Sequence, residues 1–294
     1  MRKSLLALAT VAMTISSSLA SAEKLPVSLP RVGQWEVNYD VDSCHLFGRF
    51  GTGRDETFLK ITQTSPSDMF RIEIFNKALA SRDIVVPVKI SFDPQIKPLT
   101  RNGVTMVTGK EKLPLVMLDD LRLDGWDTHK NLDQSPPAVS ADRAAQVTSI
   151  TFKFPNLKPY RLETGSLAVP MQAMRTCAED LVKSWGFDPA VQASLTQRAT
   201  PTGSPSSWIR DEDFPQKALR TGHNGLIQFR LDVAETGKVF GCRVLFRTDP
   251  DDFADRSCQL LTQRAKFRPA LDSKGLPVKS FYIGRIRWQA GGDW

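Results

Sequence analysis

Four carboxylates stand within nine positions, Asp119, Asp120, Asp124 and Asp127, around Gly125-Trp126. Carboxylates grouped in this way could coordinate a divalent cation or act as a general acid–base pair. Their run also has the composition of a solvated acidic turn, and that reading is preferred. His45 follows Cys44, a juxtaposition that suggests a thiol–imidazole pair, yet a disulfide-bonded cysteine has no thiolate to activate. His223, between Gly222 and Asn224, reads as a turn residue. With His129 these are the three histidines of the chain, none clustered with cysteine, so no zinc site is expected. Gly-x-Ser-x-Gly, His-Glu-x-x-His, Asp-Thr-Gly, Asp-Ser-Gly and calcium-loop patterns do not occur. The expectation is no enzyme, no cofactor and no metal. The rival expectation is an exported enzyme or cation-binding protein with its site in the N-terminal region.

The cysteines and the N-terminus point to an oxidising compartment. Arg2-Lys3, the apolar run Leu5 to Ile15 and Ala20-Ser21-Ala22 have the pattern of a signal peptide cleaved after Ala22. The run is too short to span a bilayer. Export makes disulfides the default for Cys44, Cys177, Cys242 and Cys258, and no pair has Cys-x-x-Cys spacing. Three pairings are open. Lys and Arg number 39 against 32 Asp and Glu, a formal net charge of +7 of which Arg2 and Lys3 supply two. So mild an excess argues against a nucleic-acid partner.

The elements that must position these residues divide the 294-residue chain in two. Residues 23–195 read as a mainly β domain ending in one helix. Gln34 to Tyr39, Thr57 to Gln63, Phe70 to Phe75, Ile84 to Phe92, Val104 to Thr108 and Val147 to Phe154 are β-branched or aromatic segments. Gly48-x-x-Gly51-x-Gly53 and Asn102-Gly103 look like hairpin turns, and Pro87, Pro94 and Pro98 suggest edge strands or bulges. Ser166, Pro170 and Gly186 mark the start and end of a helix on which Met174, Cys177, Leu181 and Trp185 share one apolar face. Residues 196–207, rich in Thr, Ser, Pro and Gly, read as a linker.

From 208 to 294 the pattern is regular. Ile227, Phe229, Leu231 and Val233 alternate with Gln228, Arg230 and Asp232, a strand with one buried face. Phe240, Cys242, Val244 and Phe246 oppose Gly241, Arg243 and Arg247 in a second strand after the turn Glu235-Thr236-Gly237. Acids at Asp249 to Asp252 open a helix whose Ala254, Cys258, Leu261 and Ala265 line one side. Val278 to Trp288 forms a last strand. The domain division, with Cys177, Cys242 and Cys258 all facing inward, favours Cys44–Cys177 and Cys242–Cys258. Arg230, Arg243, Arg247, Arg285 and Arg287 fall on outward strand positions. They could form one positive face for an acidic partner or anionic membrane, but a solvated sheet face is the preferred reading.

Phe214-Pro215-x-x-Ala218, Gly225, Asp232-Val233-x-x-x-Gly237-x-Val239, Phe267-x-Pro269-Ala270 and Gly275-x-Pro277-Val278 together resemble the C-terminal domain of the TonB family of energy transducers. The resemblance covers Phe214 to Trp288. It implies a small α+β domain, helix–strand–strand–helix–strand, that binds extended segments of outer-membrane receptors or other envelope proteins by adding them to a sheet edge. The implied edge is the final strand, which puts Val278, Ser280, Phe281, Tyr282, Ile283, Arg285 and Arg287 at the partner, with homodimerisation through that edge as a further expectation. Family members keep an uncleaved N-terminal helix and a long Pro-rich segment. The cleavable leader, β-rich domain and short linker of this chain imply a periplasmic binding module rather than a force transducer. An uncleaved leader would reverse that reading.

Overall fold

The computed structural model describes residues 25–94, 97–127, 138–248 and 251–290. The leader and His129 lie outside the described residues, as do Asp249 and Pro250. Nine strands form the N-terminal unit: β1 (Val27–Tyr39), β2 (Cys44–Phe50), β3 (Thr57–Gln63), β4 (Phe70–Phe75), β5 (Val85–Asp93), β6 (Leu99–Thr108), β7 (Leu113–Leu121), β8 (Ser149–Lys153) and β9 (Tyr160–Glu163). They close into a barrel in the order β1-β2-β3-β4-β7-β6-β5-β8-β9. Closure is parallel, Val27–Pro30 of β1 on Tyr160–Glu163 of β9, while the outer half of β1 pairs antiparallel with β2. One strand serves both neighbours because a register shift between Val32 and Glu36 bends it at Gly33, whose φ is +79°.

Alternation explains the interior. Leu46, Leu59, Ile61, Ile72, Val88, Ile90, Phe92, Leu118 and Phe152 point inward and are fully buried. Two glycines expected in hairpin turns lie inside strands instead, because the barrel needs space there. A Cβ at Gly48 of β2 would stand 2.5 Å from the Trp35 ring, and one at Gly103 of β6 would stand 2.5 Å from Val116 Cγ1. The turn after β2 falls at Gly51 and Gly53, both at positive φ. Pro87 pairs with Asn102 of β6 and precedes the β8 ladder, which starts at Lys89, so among the described residues β5 has a paired neighbour on one side only at that point. Strands β2, β7 and β9 escape the sequence reading because Gly48, the carboxylates of β7 and the shortness of β9 hide their periodicity.

A short helix, α1 (Ala141–Gln146), and a long one, α2 (Ala168–Ser184), pack together against the barrel core. Ser166 Oγ accepts from the Ala168 N–H, and Gly186 ends the helix region at φ +85°. Met171, Met174, Cys177, Ala178 and Leu181 are buried, and the Cys44–Cys177 disulfide joins α2 to β2.

The C-terminal unit begins in the segment read as a linker. After α3 (Pro189–Ala193), the two residues of β10 (Thr200–Pro201) pair with β13 (Phe267–Arg268), and the Thr196 and Gln197 N–H groups donate to Leu271 O. Residues 196–202 are therefore laced into the C-terminal unit by main-chain bonds, which composition does not reveal. Then come α4 (Gln216–Thr221), β11 (Gly225–Val233), β12 (Val239–Arg247), α5 (Asp251–Arg264), β14 (Ala270–Leu271), β15 (Pro277–Val278) and β16 (Ser280–Trp288). β12-β11-β16 make a three-stranded antiparallel sheet, with α5 across one face. Ile227, Phe229, Leu231 and Val233 are buried under α5, and Cys242–Cys258 staples β12 to it. The described residues hold no free cysteine, and none of their helices is long and apolar enough to cross a membrane.

Candidate functional site

The centre of interest is β16, whose only sheet neighbour among the described residues is β11. An edge strand leaves alternate N–H and C=O groups unpaired on its free side. Even-numbered residues of β16 face α5. Tyr282 meets the rings of Trp208, Phe229 and Phe267 at centroid distances of 5.9, 6.3 and 5.1 Å, and Trp288 stacks on Phe253 and donates to Ser257 Oγ. Odd-numbered residues face the barrel. Phe281 packs against Trp185 and Phe187, and Arg285 Nη1 donates to Asp120 at 2.7 Å.

The residues expected at the partner therefore play different parts. Val278 leaves the edge altogether, because it belongs to β15 and pairs with Ala270. Ser280 is buried and donates to Gln192 Oε1, while Gln192 Nε2 donates to Lys279 O, so α3 covers the start of β16. Tyr282 and Phe281 are packing residues. Ile283, Arg285 and Arg287 lie on the open stretch of the edge, and Arg287 is exposed. What the edge offers a partner is mainly backbone.

A groove of about 470 Å³ runs along this stretch. One wall is β16 from Tyr282 to Trp288, and the other is the segment Pro205–Phe214, so that Trp208, Ile209 and Phe214 line it together with Arg210, Asp211 and Arg287. Among the described residues no backbone hydrogen bond joins the two walls. The second wall is held by Asp213, only 3% exposed, which accepts from the Arg210 N–H at 2.9 Å, from Arg256 Nη2 at 3.0 Å and from both terminal nitrogens of Arg264. The Arg264 hydrogen bonds outweigh burial and hold the Asp213 carboxyl below its ordinary pKa. The sequence motif Phe214-Pro215 marks this segment, but nothing local discloses that its acid reaches Arg256 and Arg264 on α5.

The opposite face of the sheet, read from sequence as solvated, is covered by the barrel only in part: Arg243, Arg247, Arg285 and Arg287 stay exposed and Arg230 does not. Arg230 is only 7% exposed, with its guanidinium 4.3 Å from the Trp185 ring and its Nε on Asp232 at 2.8 Å. Arg243 Nε donates to Asp42 at 2.7 Å. Arg71 of β4 lies 3.8 Å over the Phe246 ring and donates to Asp119 and to Gln228 Oε1, and Gln228 Nε2 reaches Thr64 Oγ1. Two bulges build this contact. Ile72 pairs with Leu118 but Phe70 with Leu121, so Arg71 faces both Asp119 and Asp120, the latter at φ +57°. Gln228 pairs with Phe246 but Phe229 with Val244, which turns Phe246 from the core side expected of it to the barrel side. A second shift in the same ladder leaves Phe240 exposed.

The four carboxylates around Gly125 are consumed by arginines. Asp119 and Asp120 meet Arg71 and Arg285, Asp124 takes two hydrogen bonds from Arg122, and Asp127 lies 3.0 Å from Arg101. Burial opposes ionisation of Asp124, but Arg122 and the Trp126 N–H outweigh it and lower its pKa. For Arg285, burial works against the charge and Asp119 with Asp120 overcome it, raising its pKa. His45 is held by Ser43 and Thr62 beside a disulfide, and burial followed by Lys60 lowers its pKa. His223 N–H caps α4 at Ala218 O, as a turn residue. No group of three or more potential metal ligands occurs among the described residues.

No curated protein and no solved structure matches the chain. The family model described as Gram-negative bacterial TonB protein C-terminal matches residues 211–290, a span that takes in the acidic turn of the groove wall, the whole three-stranded sheet and α5. Residues 211–290 are thus similar to the C-terminal domain of Gram-negative bacterial TonB proteins.

Proposed function

We propose that the chain is an exported, periplasmic binding module, its leader removed after Ala22, that captures extended segments of outer-membrane receptors or other envelope proteins by strand addition to β16. It is not an enzyme in this reading and needs no cofactor. The observation that carries the proposal is the edge from Tyr282 to Trp288, which no strand among the described residues pairs on its outer side and along which a groove runs. Main-chain hydrogen bonds would supply affinity and the groove side chains selectivity. A role linked to TonB-dependent transport follows from the domain. The N-terminal unit argues against force transmission through a flexible tether, since it meets the sheet through Arg71 on Gln228 and Phe246, Trp185 on Arg230, Asp42 on Arg243 and Asp120 on Arg285. A second copy of the chain pairing through the same edge is the competing occupant.

Consecutive N–H groups of β16 point alternately to β11 and to the groove, so Ile283→Pro and Ile286→Pro sample both sets. The probes are synthetic peptides from the periplasmic segments of outer-membrane receptors. The variant that loses a groove-facing N–H keeps its circular dichroism spectrum and loses capture at least tenfold. A folded pair of variants that both capture like wild type would sink the proposal, and loss of a dimer instead of peptide capture would assign the edge to self-association.

A further inference from the structure

The C-terminal unit sits at one end of the barrel. The barrel residues that hold its sheet, Thr64, Arg71, Asp119 and Asp120, lie where β3 and β7 finish and β4 starts. At the opposite end of these strands two loops project. Ala80 to Val85, between β4 and β5, are all exposed, and so are Val107 to Lys112 around the β6–β7 turn. The loops are neighbours, since the Thr105 N–H donates to Ile84 O, Thr105 Oγ1 donates to Asp83 O and the Asn76 N–H donates to Pro114 O. Their composition differs from that of an ordinary solvated loop. Ile84, Val85 and Val107 are 74%, 50% and 63% exposed. Around them stand Lys77, Arg82, Lys110 and Lys112, all exposed, against Asp83 and Glu111. None of these six charges forms an ion pair among the described residues.

We infer that this end of the barrel docks on an anionic membrane surface, with Ile84, Val85 and Val107 entering the headgroup region and the four bases meeting lipid phosphates. The occupant follows from shape and charge. Six consecutive exposed residues in each loop make projecting tips, whereas a protein partner is gripped mainly through well-packed, desolvated pockets. A bilayer needs only apolar tips to receive and cations to neutralise, and each base near an anionic surface adds to the attraction. The four bases outnumber the two acids, so the local field suits anionic headgroups. Docked in this way, the barrel holds the C-terminal unit, at the far end of β4 and β7, away from the bilayer. The edge of β16 then faces the side from which other proteins arrive. This surface does not rest on strand addition, and either reading can fail without the other.

The test is co-sedimentation of the full chain with vesicles of phosphatidylcholine alone and of phosphatidylcholine with about one third phosphatidylglycerol. Wild type is expected on the anionic vesicles only, and leaves them as salt rises toward about 1 M. Ile84→Asp/Val107→Asp and Lys77→Glu/Lys110→Glu each lower partitioning about tenfold at an unchanged melting temperature, since all four positions are exposed. Lys266→Glu/Lys274→Glu makes the same charge change on the C-terminal unit and leaves partitioning within about twofold of wild type. Equal losses from the two lysine pairs reduce the effect to net charge and overturn the assignment, as does an absence of binding to the anionic vesicles. A self-associated wild type that Ile84→Asp/Val107→Asp turns monomeric in sedimentation velocity also overturns it, by giving this end to a second copy of the chain.

Discussion

Asp213 is the residue through which the groove wall can be loosened without touching the groove. Its carboxylate fastens Pro205–Phe214 to α5 through Arg256, Arg264 and the Arg210 N–H. Asp213→Asn keeps the shape and one acceptor but removes the charge. Stranding a fully buried partner costs about 3–5 kcal/mol. Here Arg256 and Arg264 are 36% and 29% exposed and can rehydrate, which lowers the expected loss to about 2–3 kcal/mol. For a chain of this size that is a fall in melting temperature of roughly 4–12 °C. The pH dependence gives a second, independent reading. The folded pKa of Asp213 is depressed, so its contribution is fully present above the ordinary aspartate value of 3.8 and is lost as pH falls through the folded value. The difference between wild type and Asp213→Asn in urea denaturation should be constant near neutrality and shrink toward zero in acid below 3.8. A variant within about 0.5 kcal/mol of wild type at pH 7, or a gap that widens in acid, refutes the pinning argument.

The two disulfides should differ in worth. Cys44–Cys177 closes a separation of 133 residues and Cys242–Cys258 one of 16, so loop-closure entropy assigns about 5 and about 3 kcal/mol; urea midpoints of the Cys44→Ser/Cys177→Ser and Cys242→Ser/Cys258→Ser pairs test the order, and the reverse order contradicts it. Gly103→Ala pushes a methyl against Val116 and Leu118 inside the closed barrel and should cost about 1–3 kcal/mol by the same assay, whereas a neutral result would show the barrel wall to be more yielding than its packing suggests.

The sequence by itself determined the features that local periodicity encodes. Ile227 to Val233 alternate in the chain and alternate in the sheet because a strand puts successive side chains on opposite faces. Met174, Cys177 and Leu181 lie on one side of α2 for the analogous helical reason. The spacing of Phe214-Pro215, Gly237 and Phe267-x-Pro269 was enough to mark the C-terminal domain, since Gly237 at φ +78° lies so close to Phe267 O that no side chain fits. Tertiary structure decided the rest. Barrel closure depends on β1 meeting β9 across more than a hundred residues, a pairing that leaves no local trace. The fate of the outward arginines depended on what came to lie over them. A half-polar strand looks the same whether water or a carboxylate-bearing barrel covers it, and only the bulges opposite Arg71 and after Gln228 turned Asp119, Asp120 and Phe246 toward one another's sheet. The edge residues followed the same logic: the resemblance put them at the partner, but the barrel and α5 took the side chains of Phe281, Tyr282 and Arg285 for their own contacts.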